Sequence, residues 1–418
     1  MAHQEPVTVR AAIRDGQVPA VRKLLAELRR HGPTDDRMPF AALKDVHFAR
    51  LFVLEETEGL AGEVIPASLV YMADVDGSVD RHLRGLVSRA GAGLDDLFGH
   101  CAGWPLQPTD RERLDWLRRH CLRPAAYYVH RVGRTVTQVR DEARLRTEVE
   151  ALLDRPEVAG ETSAAAVRGR IRRAVRARPE LAWALRPPAG PGIVHRLRET
   201  AHLVALPAVA LLTLPVLVSL MVAGLVAIRW QESRDEPETD PPDPEHVHEV
   251  ELYEDYAAQN PFTAVGLLKP GPLRLVTMRV ALAVLDWGCR HLFARDNLAG
   301  VRTIHFGRWL PLDDGRRVIF ASSYDGSQES YMDDFIDRLA WGVNLVFSNG
   351  LGYPRTRWLV NGGARDETSY KRYLRRHQVP TVVFYSAYGT LSARNVDDNS
   401  LIRDGLRHGD AGAWLERL

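Results

Sequence analysis

"VDGSVDRHLRGL", Val75 to Leu86, and "YDGSQESYMDDF", Tyr324 to Phe335, are one phrase written twice. Laid without a gap, Asp76–Pro105 and Asp325–Pro354 agree at eight of thirty positions: Asp76, Gly77, Ser78, Arg89, Gly93, Phe98, Gly103 and Pro105 recur as Asp325, Gly326, Ser327, Arg338, Gly342, Phe347, Gly352 and Pro354. The match continues outward. "HFARLFVL" from His47 answers "HFGRWLPL" from His305, and "WLRRHCLRPAAYYVHRVG" from Trp116 answers "YLRRHQVPTVVFYSAYG" from Tyr373. Landmarks in the same order over this length mark an internal duplication.

Periodicity and breakers give both copies the same plan. The first reads as strand "VTVRAAI", helix "PAVRKLLAELRR", strands "VHFARLFVL" and "ASLVYMAD", the helix after Asp76-Gly77-Ser78, and strand "AAYYVHRV". The second repeats that order from "FTAVGLLK" to "PTVVFYSAY", and an extra helix precedes each last strand. The expected class is α+β: two tandem ferredoxin-like β-α-β-β-α-β repeats, each hiding the bare face of its sheet against the other. Within each phrase the Asp ends a strand, the Gly permits the turn and the Ser caps the next helix. Asp80 and Glu329 favour the positive ends of those helices.

The chain has 418 residues, 26% charged and 45% hydrophobic, with a net charge of +1, a globular profile with no global pull toward nucleic acid. Cys101, Cys121 and Cys289 are an odd set without a CxxC spacing or a leader-like stretch ahead of them. They are expected as buried thiols of a reducing compartment, not as a disulfide framework or a zinc site.

"LVALPAVALLTLPVLVSLMVAGLVAI", Leu203 to Ile228, carries no charge, and only Thr213 and Ser219 are polar. Such a run predicts a membrane-embedded segment. Arginines crowd its N-terminal side, from Arg168 to Arg198, while an acidic, proline-rich stretch follows it. The positive side is expected in the cytoplasm. The expected layout is a first repeat over 5–150, a basic helical segment over 160–200, the membrane segment over 203–228, a solvated linker over 229–249 and a second repeat over 250–418. Residues 1–4 and the linker are expected to be poorly ordered. Packing of the repeats against each other requires both on the cytoplasmic face. Pro207 and Pro215 then break the segment into a hairpin that dips into one leaflet. The alternative is a single crossing, which separates the repeats and asks each to pair with another subunit.

The sequence holds no phosphate loop, nucleophile elbow, HExxH or CxxC pair. Candidates for a cavity between facing sheets are His305, Arg308, Asp325, His377, Tyr385, Arg394 and Asn395, and His246 with His248 forms an HxH pair. The paired arrangement resembles the dimeric α+β barrel superfamily and, through "SSYDG", His377 and "SARN", its dye-decolorising peroxidases. Ser322 stands where that motif has its first Gly. The resemblance implies a haem cofactor, with His377 as the iron ligand, His305 beside the cofactor, and Asp325 and Arg394 as the catalytic acid-base and charge-stabilising pair. His377 has a plainer reading too, set against the C-terminal carbonyls of a basic helix end. Two functions follow: a membrane-attached, haem-dependent redox enzyme acting on an amphipathic or lipid-derived substrate, or a non-catalytic membrane-associated module that binds a ligand or protein. Expected partners are the lipid bilayer, a small amphipathic ligand and a second copy in a homodimer, with no nucleic acid.

Overall fold

A computed structural model of the chain describes residues 3–161, 163–188, 190, 192–255, 257–293 and 297–418. The first unit runs β1 (Gln4–Ala12), α1 (Val18–His31), β2 (Val46–Leu54), β3 (Ser68–Asp76), α2 (Val79–Phe98), α3 (Asp110–Arg119) and β4 (Ala126–Val129). The second repeats it as β5 (Gln259–Leu267), β6 (Ile304–Leu312), β7 (Arg317–Asp325) and β8 (Val383–Ser386). Its helices, later in the chain count, are Pro272–His291, Gln328–Phe347 and Glu367–His377. The fold is α+β with antiparallel sheets. Gln4 already belongs to β1, so order begins earlier than expected. Ser78 and Ser327 accept the backbone N–H of Arg81 and Ser330, and Gly77 and Gly326 turn at φ of 83° and 85°. Only glycine takes that left-handed conformation at little cost.

The last strand of each unit belongs to the other unit's sheet. The two orders are β1-β3-β2-β8 and β4-β6-β7-β5. Residues 120–122 first run beside β1, with Arg10 N–H on His120 O at 3.1 Å and Leu122 N–H on Thr8 O at 2.8 Å. The chain then crosses to pair as β4 with β6. Val379 N–H on Thr263 O at 2.8 Å marks the matching start beside β5, before β8 reaches β2. Backbone pairing thereby closes a ring through both sheets and leaves no long unpaired edge. Phe52, Leu54, Val70, Met72, Leu310, Leu312 and Ile319 fill one core between the sheets. The helices cover the outer faces over two further cores.

Beyond β4 comes α4 (Val136–Leu153), and the basic stretch supplies α5 (Ala164–Ala177). Val167, Ile171 and Val175 of α5 are buried with Leu145 and Val149 of α4 and with Leu406 and Trp414 from the C-terminal end. The uncharged run forms α6 (Ile193–Leu212) and α7 (Leu214–Glu232), which meet at Thr213. Pro207 lies within α6, and Pro215 falls in the first turn of α7, where a missing N–H is tolerated. Among the described residues no helix is long and apolar enough to cross a membrane. The uncharged run is divided between α6 and α7 at Thr213 and does not form one continuous helix.

The acidic linker is laid down on the protein instead of hanging in solvent, which corrects the expectation of disorder. It carries α8 (Pro244–Glu251) and leads to α9 (Pro272–His291), α10 (Gln328–Phe347) and α11 (Glu367–His377). Its acids and carbonyls meet basic side chains: Arg376 binds Glu238 and the Asp240 and Pro241 carbonyls, and just past the linker Arg375 binds Glu254 at 2.7 Å. Arg29 of the first unit donates to Leu252 O at 2.8 Å and lies 4.4 Å above the Tyr253 ring. The chain ends in α12 (Ala393–Gly405) and α13 (Ala411–Leu415).

Candidate functional site

The duplicated aspartates sit where three elements meet. Asp325 ends β7, and its Oδ1 accepts the His305 Nε2–H from β6 at 2.7 Å. Its Oδ2 accepts the Ala393 N–H at the start of α12, also at 2.7 Å. Asp76 repeats this with His47 at 3.0 Å and the Val136 N–H of α4 at 2.8 Å. Each carboxylate thus ties strand to strand and stabilises the positive end of a helix. His47 Nδ1 accepts the Tyr388 hydroxyl at 2.6 Å, completing a Tyr-His-Asp chain. Burial pushes the Tyr388 phenol well above its ordinary value, the opposite of what an activated nucleophile needs. Phe48 and Phe306 fill the space between the two histidines, with ring centroids 5.1 and 5.2 Å from His305 and His47.

One layer further in, Arg50 and Arg308 cross between the units. Arg308 donates to the Val7 and Ala73 carbonyls and is ion-paired with Asp74. Arg50 donates to the Phe262 and Ser322 carbonyls at 2.9 and 2.8 Å, but Ser323 Oγ, at 2.7 Å, stands where its twin has a carboxylate. Burial without a contacting anion brings the Arg50 guanidinium down to about 10.

The remaining candidates lie elsewhere. The Arg394 side chain is 89% exposed and only 3.8 Å from Asp398, so it points away from Asp325 although its neighbour Ala393 binds that carboxylate. Asn395 completes the capping box with Ser392, and Tyr385 accepts from Arg140 at 3.3 Å. His377 ends α11 and donates from Nδ1 to the Tyr373 carbonyl at 2.8 Å, as a histidine at a helix C-terminus does. Burial holds its imidazole below the usual histidine range. It lies against Gly266, where a Cβ would come within 3.2 Å of its ring. Gly266 pairs with Val318 while Asp325 pairs with Gln259, so the two sites are separated by the length of the strand, roughly 24 Å at about 3.4 Å per residue.

These residues do not fit a haem. The expected iron ligand and the expected distal pair stand at opposite ends of β5, and the arginine faces solvent. Among the described residues no group of three His, Cys, Asp or Glu side chains is placed to hold a metal ion. His246 of the HxH pair donates to the Arg375 carbonyl at 3.2 Å. Cys101 and Cys289 are buried as expected while Cys121 is half-buried, and burial raises Cys101 to about 12 and Cys289 further still.

What stands out is the helix pair α6–α7, joined through Thr213. Leu211 and Leu212 are 72% and 83% exposed, and Val209, Leu220, Met221 and Val226 are all more than half exposed. Both roots are tied to the second unit. At one, Trp287 Nε1–H donates to Leu203 O at 3.1 Å, Arg290 binds Glu199 at 3.0 Å, and His202 and His291 share a hydrogen bond of 2.9 Å. At the other, the buried Glu232 carboxylate accepts from Thr356, Trp358 N–H and Leu359 N–H, each at 2.8 Å. Trp358 and Leu359 sit at φ of 57° and 64°, a conformation those N–H bonds help hold. Asp235, just beyond, pairs with Lys269 and Arg274 at the start of α9. The sequence reading found the apolar run but none of these anchors, whose partners lie far along the chain. Compared with known proteins, the chain matches no family model, no curated protein and no solved structure.

Proposed function

We propose that this chain is a non-catalytic, membrane-surface binding module, its duplicated α+β body holding an apolar hairpin in one leaflet. The observation that carries this is the α6–α7 pair, read as a hairpin: apolar side chains exposed on both helices, and both ends tied to the second unit. The arm from Leu203 to Leu212 reaches about 15 Å, half of the roughly 30 Å hydrocarbon core. Such an arm enters and turns back. A fully buried Leu or Val contributes roughly 1.5–3 kcal/mol, so even partial burial of these side chains in lipid gives firm attachment. Arg196 and Arg198 are exposed on the same helix, near the body, where anionic headgroups lie. The ring of strands supports a binding rather than a catalytic role, since His47, Asp76, Arg50, Arg308, His305 and Asp325 inside it are already engaged by protein partners.

Flotation with phospholipid vesicles tests the reading. The parent chain is expected to rise with vesicles, more completely when they contain anionic lipid, while Leu211→Asp with Leu220→Asp stays at the bottom with an unchanged circular dichroism spectrum. A parent chain that sediments away from both vesicle types would sink the proposal.

A further inference from the structure

We infer that the second unit holds a hydrocarbon chain in a cavity between α9 and α10. The cavity measures about 170 Å³, and Phe293, Leu298, Phe335, Val343 and Val346 are among its apolar walls. Protein interiors are normally close-packed, and an apolar cavity of about 150 Å³ stays dry and takes up a guest the size of benzene. This one has the size for the end of a chain, and among the described residues its walls offer no charged group to a headgroup.

The duplication shows that the space is not inherent in the fold. Gly93 of α2 and Gly342 of α10 occupy the same place in the repeat. In the first unit the connector after α1 lies directly on that glycine: a Cβ at Gly93 would meet the Arg37 carbonyl oxygen at 1.9 Å, and Met38, Phe40 and Leu43 are buried beside it. In the second unit, among the described residues, a Cβ at Gly342 would meet only Leu339 of its own helix, at 3.4 Å, and the glycine lines the cavity. The unit that keeps the space is also the unit that carries the hairpin. Trp287 joins the two, lining the cavity while binding the Leu203 carbonyl at the hairpin's root. Val284, Leu292 and Trp341 line the cavity and are 47%, 63% and 48% exposed, so its rim is apolar and open on the outside. Along the described rim a chain from the surrounding medium meets apolar side chains. The inference rests on the hairpin reading for the source of that chain, which is then an acyl chain of bilayer lipid.

Titration with cis-parinaric acid, whose fluorescence rises in apolar sites, tests for the guest. Saturable uptake is expected, weakened at least tenfold by Gly342→Leu and by Val343→Phe, which fill the space from a helical backbone that accepts side chains. No uptake, or uptake that neither variant weakens while both fold, would overturn the inference. Energy transfer from tryptophan to phosphatidylcholine carrying a pyrenyl acyl chain, reduced in the filled variants, supports the bilayer as source. Cavity-dependent parinarate uptake without such transfer supports a free fatty acid. The filled variants are expected to float with vesicles like the parent, so loss of uptake and loss of membrane attachment are read separately.

Discussion

At the scale of single residues, the two units differ most where Ser323 replaces the carboxylate that Asp74 provides. Asp74→Asn leaves the buried Arg308 without its anion, and breaking a buried pair typically costs about 3–5 kcal/mol. Ser323→Ala removes one hydrogen bond to Arg50 and is expected to cost less, about 1.5–3 kcal/mol. Denaturant midpoints of the two variants check the order, and equal losses would mean that Asp74 contributes no more than a neutral acceptor. Part of this network was legible in the sequence. "DGS" announced a turn and a cap because those depend on adjacent residues. The second task of Asp76 and Asp325 was hidden, since each serves a helix some sixty residues downstream through a backbone N–H that every residue possesses. The reading of Asp325 with Arg394 failed for a related reason. Order along the chain brought the two near in space, but whether an arginine at the first turn of a helix faces inward is decided by packing.

At the scale of elements, hydrophobic patterning located the eight strands of the two main sheets and the helices within each repeat but not α4 or α12, and it reports burial and not the neighbour that provides it. "AAYYVHRV" reads as a strand whichever sheet receives it. The hairpin was likewise visible as an apolar run broken near its prolines, while its roots were not. One root predicts a pH response. Burial, with His202 next in effect, holds the His291 imidazole below its ordinary value, and Glu199 and Asp286 oppose the shift while Arg290 adds to it. Unfolded, the same group titrates near about 6.5 and binds more protons than the docked form. The stabilisation is therefore complete above that pH and declines as pH falls below it. His195 at the same root shifts in the same direction through its burial. Protection factors of the amides over 195–203, corrected for the slower intrinsic exchange at acid pH, are expected to fall between pH 7 and 5, and His291→Asn should flatten the profile. An unchanged profile in the variant would assign the response to another group.

At the scale of the whole molecule, neither unit is complete by itself. Fragments 1–213 and 214–418 each lack the fourth strand of their own sheet and carry the one their partner needs. Each is expected to be insoluble alone, and the two are expected to co-purify when produced together. A soluble 1–213 that unfolds cooperatively would show that β8 is dispensable to the first sheet. The duplication in the sequence suggested two domains in a row, but the exchange makes them one folding unit. The exchange also has a consequence for synthesis. β2 leaves the ribosome long before β8, and at roughly 5–20 residues per second the first sheet waits about 15–65 s for its closing strand. Throughout that interval a nascent edge is open to wrong partners, and the uncharged hairpin emerges before the edge is covered. Early capture of the hairpin by a bilayer would shelter the half-made chain while its last strand is still being translated.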